Sequence, residues 1–179
     1  MKPSGLNRTP YRLASSLPIS ISYKIAHRNA QHRNTQHRNT QHRMIQFICN
    51  NVPMPAFDRA RAGRWIRSVA AGYGFTVGEV TYIFCDDEKI LAVNREFLQH
   101  DYYTDVITFD YSTLDRLSGD IFISLDTVRS NAGQVGVPFE QELHRILIHG
   151  ILHLTGQGDK TPETKAQMTA KEDAALAIL

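Results

Sequence analysis

His149-Gly150-Ile151-Leu152-His153-Leu154-Thr155-Gly156-Gln157-Gly158-Asp159 is the stretch on which the reading of this chain turns. His149 and His153 are four residues apart, a spacing that sets both imidazoles on one face of a helix, close enough to share an ion. Upstream, Leu143, Ile146 and Leu147 continue the apolar pattern of Ile151 and Leu152. The pattern predicts a core helix from about Phe139, just after Pro138, to Leu154. Gly156 offers the helix a stop, and Asp159 follows where a returning loop can supply a third ligand. Two neutral imidazoles and a carboxylate suit a borderline divalent ion, with Zn²⁺ the default, one per chain. Three protein ligands leave the fourth position open to water, which is the pattern of a catalytic rather than a structural zinc. In zinc proteases the residue after the first His is a Glu that acts as base; here it is Gly150, which argues against proteolysis.

The flanking sequence predicts an α+β sandwich. Met44–Ile48 reads as a short strand, and Val52-Pro53-Met54-Pro55 forbids regular structure. Asp58 can cap a helix to about Tyr73, with Trp65, Ile66, Val69 and Ala70 inward and four arginines (Arg59, Arg61, Arg64, Arg67) crowded along it. Glu79–Phe84, Thr104–Phe109 and Asp120–Ser124 are strand-like runs rich in β-branched and aromatic residues. A helix is predicted from Asp86 to about Gln99, another from Asp126 to Gly133 or Gly136, and a last one from Pro162, after the cap Thr161. The expectation is a single domain with a small, mixed, roughly four-stranded sheet and about five helices, the central one bearing the metal.

Charge and composition bound the rest. Of the 179 residues, positions 1–43 hold eight basic residues and no acidic ones. That leaves 12 basic against all 18 acidic residues in 44–179, a net of −6. Nucleic-acid contact by the folded part must therefore come from a local patch. Residues 27–43 repeat His-Arg-Asn-(Ala/Thr)-Gln, a five-residue period that matches neither helix nor strand and builds no buried face. The reading is a disordered basic tail over 1–43 with Met44 as the true start, and one folded domain over 44–179. The apolar run Leu17–Ser22 is too interrupted for a secretory signal, and no run is long enough to span a membrane. Cys49 and Cys85 form no CxxC pair. A cytoplasmic protein is expected.

His-Gly-Ile-Leu-His-Leu-x-Gly resembles the signature of the YbeY family of bacterial zinc-dependent endoribonucleases. Asn94 before Phe97, Thr104–Phe109, Gly119–Ser124 and the acidic Glu172-Asp173 resemble further parts of that family in the same order, over about Met44 to Asp173. The resemblance implies cleavage of single-stranded RNA, a role in 16S rRNA 3′-end processing and ribosome quality control, and partnership with ribosomal RNA and the small ribosomal subunit. Ribosomal proteins or an assembly GTPase are further expected partners. It also implies that His149, His153 and the family's third ligand act through the metal. The family usually ends this motif Gly-Tyr-Asp-His. Ungapped, Asp159 stands for that last His; with one residue inserted, Lys160 would, and a protonated lysine is no ligand. A carboxylate there would leave bound water less acidic. Many members carry an Arg where this chain has Leu98, so Arg95 and His100 are the candidate substitutes for RNA contact. Asp105 and Asp120, at strand ends, are candidates for supporting the metal or holding RNA. The alternative reading is a ribosome-assembly factor with a mainly structural metal.

Overall fold

The computed structural model describes residues 45–98, 101 and 103–179. The repeat, the basic tail, the proposed start at Met44 and His100 lie outside the described residues. Four strands form one sheet in the order β1-β2-β4-β3: β1 (Ile45–Cys49), β2 (Thr76–Cys85), β3 (Val106–Asp110) and β4 (Arg116–Ser124). β1, β2 and β4 run parallel, and β3 pairs antiparallel with β4 as an edge strand. Five α-helices join them among the described residues: α1 (Arg59–Gly72), α2 (Asp87–Val93), α3 (Leu125–Val135), α4 (Phe139–Leu154) and α5 (Pro162–Leu176). The mixed four-stranded sheet and five helices are the α+β architecture that the sequence predicts.

Helix α4 is the centre of the fold because almost every face of it is apolar. Leu143, Ile146, Leu147, Ile148, Ile151, Leu152 and Leu154 are all buried. Each such side chain contributes about 1.5–3 kcal/mol on burial, so the helix is held by packing rather than by its ends. It lies on the face of the sheet that carries Tyr82, whose hydroxyl donates to Leu147 O at 2.9 Å. Phe47 stacks on Tyr82 in the same layer. Helix α1 flanks α4 there through Trp65, which meets His144 edge-on at 5.8 Å and donates its indole N–H to Ala175 O of α5 at 2.7 Å. Strand residues alternate, so Ile83, Phe109 and Phe122 face the opposite way. There α2 and Phe97 cover them, with Phe97, Phe109 and Phe122 in edge-to-face contact.

Three details depart from the sequence expectation. The helix predicted to run from Asp86 to Gln99 is α-helical only to Val93, and Asn94–Leu98 winds into a π turn with Asn94 buried. Helix α3 is capped by Ser124, which accepts from Thr127 N, and not by Asp126. Strands β2 and β4 begin earlier than their apolar cores, because their parallel pairing already runs from Thr76↔Arg116.

Candidate metal centre

The last turn of α4 ends at Thr155, and Gly156 follows with φ +91°, a left-handed conformation that a side chain would strain. That reversal folds the chain back on itself. It brings the carbonyl of Gln157 to His153 Nδ1 at 2.9 Å and returns Asp159 over the helix end. His149 Nδ1 meets Glu172 Oε1 of α5 at 2.6 Å. A carbonyl and a carboxylate only accept, so both Nδ1 atoms carry the proton and both Nε2 atoms present lone pairs.

Those two Nε2 atoms face each other at 2.8 Å, and Asp159 Oδ2 lies 3.7 Å from each. Two lone pairs held that close repel unless a cation stands between them. Atoms bound tetrahedrally to zinc at ~2.0–2.1 Å are roughly 3.3–3.4 Å apart, a value the three observed separations bracket. The donor set and its spacing therefore fit a metal ion, and His149, His153 and Asp159 are the group of described residues able to hold one.

The electrostatics agree. Burial pushes His149 toward its neutral form, but the hydrogen bond and charge of Glu172, with Asp105 and Asp159 beyond, outweigh it and leave His149 above the ordinary imidazole value. His153 is pushed below it, by burial first and then by His149.

Gly150 is fixed by packing. A Cβ at that position would lie 2.8 Å from Ile121 Cγ2 of β4, inside van der Waals contact, so the missing side chain lets the helix approach the sheet there. A glutamate base of the protease type has no room there.

The candidate residues separate. Asp105, just before β3, acts electrostatically on both histidines; Asn131 Nδ2 donates to its Oδ2 at 3.4 Å and its backbone carbonyl accepts from Ser124 N. Asp120 belongs to the other side of the sheet, because its neighbour Ile121 faces Gly150 and alternation turns Asp120 away, where it bonds to Tyr111. Arg95 is exposed and paired with Asp101 at 2.5 Å, and Leu98 is half-buried in the π turn.

Sequence reasoning named Glu172-Asp173 only as an acidic stretch resembling the family, and picked out neither their role in backing the ligands nor Arg145 and Lys171. Arg145, one turn before His149, donates to Glu172 Oε2 at 3.2 Å and to Asp173 at 2.8 Å, and so neutralises the carboxylate that orients His149. Lys171 Nζ meets Gln157 Oε1 at 2.5 Å and pins the returning loop. The signal was present: Met168, Glu172 and Ala175 share the buried stripe of α5, and an acid on such a stripe needs a partner.

Fold and site together define a mixed α+β protein with a three-residue group able to hold a metal ion at the end of its core helix. A family model described as Endoribonuclease YbeY matches residues 55–179. The chain is 57% identical to the Endoribonuclease YbeY of Phocaeicola vulgatus over 136 residues, which cover 76% of this chain and 99% of that one. It is 55% identical to the protein of the same name from Bacteroides thetaiotaomicron over 134 residues, 75% of this chain and 98% of the relative. The solution structure of a Thermotoga maritima protein superposes with a TM-score of 0.53 at 25% identity, covering 74% of this chain and 87% of that one. The chain belongs to the endoribonuclease YbeY family.

Proposed function

We propose that the protein is a zinc-dependent endoribonuclease that cuts single-stranded RNA, and that its substrate is the 3′ region of 16S rRNA during maturation of the small ribosomal subunit. The observation that carries this reading is the pair of inward-facing Nε2 atoms with Asp159 beside them, in a chain whose relatives are named for endoribonuclease activity. His149, His153 and Asp159 hold the ion. When bound, zinc polarises phosphate oxygen and lowers the pKa of its water from 15.7 toward ~7.

The chain's own residues do the rest. Glu172 keeps the proton on His149 Nδ1, and the Gln157 carbonyl keeps it on His153 Nδ1, so both rings stay turned toward the ion. Arg145 balances the charge of Glu172. Gly150 supplies no base, and Asp105, whose charge acts on both histidines, supports the metal or holds RNA. Ribosomal RNA and the small subunit are the proposed partners, with ribosomal proteins or an assembly GTPase beside them. No helix among the described residues is long and apolar enough to cross a membrane, and the proposed site of action is the cytoplasm.

A second reading is a ribosome-assembly factor with a mainly structural metal. It is favoured by Leu98 and by the engagement of Arg95 with Asp101, which leave the π turn without an unpaired cation for RNA among the described residues. Measuring bound zinc and cleavage of single-stranded rRNA fragments, with and without His153→Ala, separates the two. The nuclease reading expects one zinc and cleavage that the substitution abolishes. One zinc with no cleavage supports the assembly factor, and undiminished cleavage by a metal-free variant defeats both.

A further inference from the structure

The geometry points to a second RNA contact: the outward face of α1 is a phosphate-docking surface that extends to the metal centre. The inference rests on the reading of the protein as an RNA-cutting enzyme and adds a site that the cleavage chemistry does not use.

Arg59, Arg61, Arg64 and Arg67 are four of the 12 basic residues of a folded part whose net charge is −6. Apart from their pull on the cap Asp58, they oppose the helix's own electrostatics. Its first turn holds no acid, so Arg59 and Arg61 sit at the positive end of the helix dipole. Arg61/Arg64 and Arg64/Arg67 are like-charge pairs three residues apart, which destabilise a helix. Packing does not explain them either. Arg61 donates to Leu179 O at 2.8 Å, whereas Arg59, Arg64 and Arg67 are exposed and, among the described residues, enter no ion pair. Arg67 lies back along its own helix, donating to Gly63 O at 2.9 Å, which keeps its guanidinium beside the others.

Asp58, the helix cap, offsets part of the charge of Arg64 and Arg61, and the positive charge that remains, on a negative body, is complementary to a polyanion. The other exposed positions of the helix near the arginines are small (Ala60, Ser68, Ala71), so the face lacks the large apolar anchor of a protein interface and lets a phosphate backbone come close. Arg61, Arg64 and Arg67 follow one another along the outward side, over which the helix rises about 9 Å, enough for roughly two phosphates of one strand, while Arg59 adds its charge at the helix start beside Cys49. The stripe also has a direction. Tyr73 caps α1, and the Lys171 ammonium sits 5.2 Å over its ring. Lys171 holds Gln157, whose carbonyl orients His153. One end of α1 therefore abuts the loop of the metal centre, with a cation at the junction.

The test compares the full chain with Arg59→Ala/Arg64→Ala/Arg67→Ala, the same triple with Lys, and Arg129→Ala as a surface control. Binding of a labelled single-stranded RNA of about 20 nucleotides is measured on metal-stripped protein across a salt series, and cleavage on the zinc-loaded protein. The expected result for the Ala triple is a Kd at least about tenfold weaker and a salt slope smaller by roughly 2, with KM raised and kcat unchanged. Its Tm holds or rises, because repulsion is relieved. The Lys triple keeps most of the binding, and Arg129→Ala matches wild type. If wild type binds RNA and the Ala triple binds it with the same Kd and slope, the docking surface is overturned and the face is left to a protein partner. If wild type neither binds nor cuts RNA, the enzymatic reading falls and takes this inference with it.

Discussion

The carboxylate of Glu172 and Nδ1 of His149 stand 2.6 Å apart across two helices, and that one bond turns Nε2 of His149 toward His153 and Asp159. Removing the charge while keeping the shape, Glu172→Gln, is expected to weaken metal affinity about 10–100-fold. Competition with a calibrated chelator measures it; an unchanged affinity shows that the ring is oriented by packing alone.

Asp159 rather than Lys160 occupies the third position, 3.7 Å from both Nε2 atoms. Asp159→Ala is expected to lower zinc affinity at least tenfold, and Lys160→Ala to leave it within about twofold. Asp159→His restores a family-like donor set and is expected to bind zinc with a more acidic bound water, which shifts the rise of activity to lower pH. Loss of zinc in Lys160→Ala with retention in Asp159→Ala would reverse the assignment.

Gly150→Ala tests the approach of α4 to the sheet. Overpacking against Ile121 costs about 1–3 kcal/mol, and better helix propensity returns roughly 1 kcal/mol, so urea denaturation is expected to show a net loss of about 1 kcal/mol. Gly150→Glu is expected not to accumulate as folded protein. A stable Glu variant would contradict the packing described.

His144 gives the fold a dependence on pH. It is buried against Phe57 and Trp65, and burial holds its pKa below the ordinary value. A histidine depressed in the folded state favours folding above its unfolded pKa of about 6.5, and that contribution is lost as pH falls through the lower folded value. Metal-stripped protein is therefore expected to lose stability below about pH 6.5, and His144→Gln to flatten part of that loss. The chain has one tryptophan, Trp65, in edge contact with His144, so its fluorescence is expected to report the protonation directly. Parallel pH profiles for wild type and His144→Gln would rule this out.

What the sequence made legible follows from locality. Phe139–Leu154 was readable because its apolar spacing, the preceding Pro138 and the following Gly156 all act within a few residues. The π turn was not, since side-chain periodicity does not separate a turn of four from a turn of five over Asn94–Leu98. Ser124 and Asp126 are both good caps two residues apart; the choice fell to Ser124 because it also ends β4, where its hydroxyl and that of Thr127 meet Asp87 of α2. Asp105 and Asp120 looked alike as acids near strand ends. Only the pairing of Ile121 beneath Gly150 tells which side of the sheet each serves. Glu172 lies 23 residues from His149, so its partner was invisible although its place on a buried stripe was not.

The order of the parts along the chain carries a further consequence. The three candidate ligands and the side chains that hydrogen-bond to back them lie between Arg145 and Asp173, after all four strands. During synthesis the residues of all four strands are made before the first ligand, and the reversal at Gly156 precedes the helix that orients His149. A chain cut short before Pro162 lacks that helix, and one cut short before His149 has the four strand segments and no ligands at all. The molecule is thus disarmed by default: truncated products cannot assemble the complete centre, and completion is the last event of its own making.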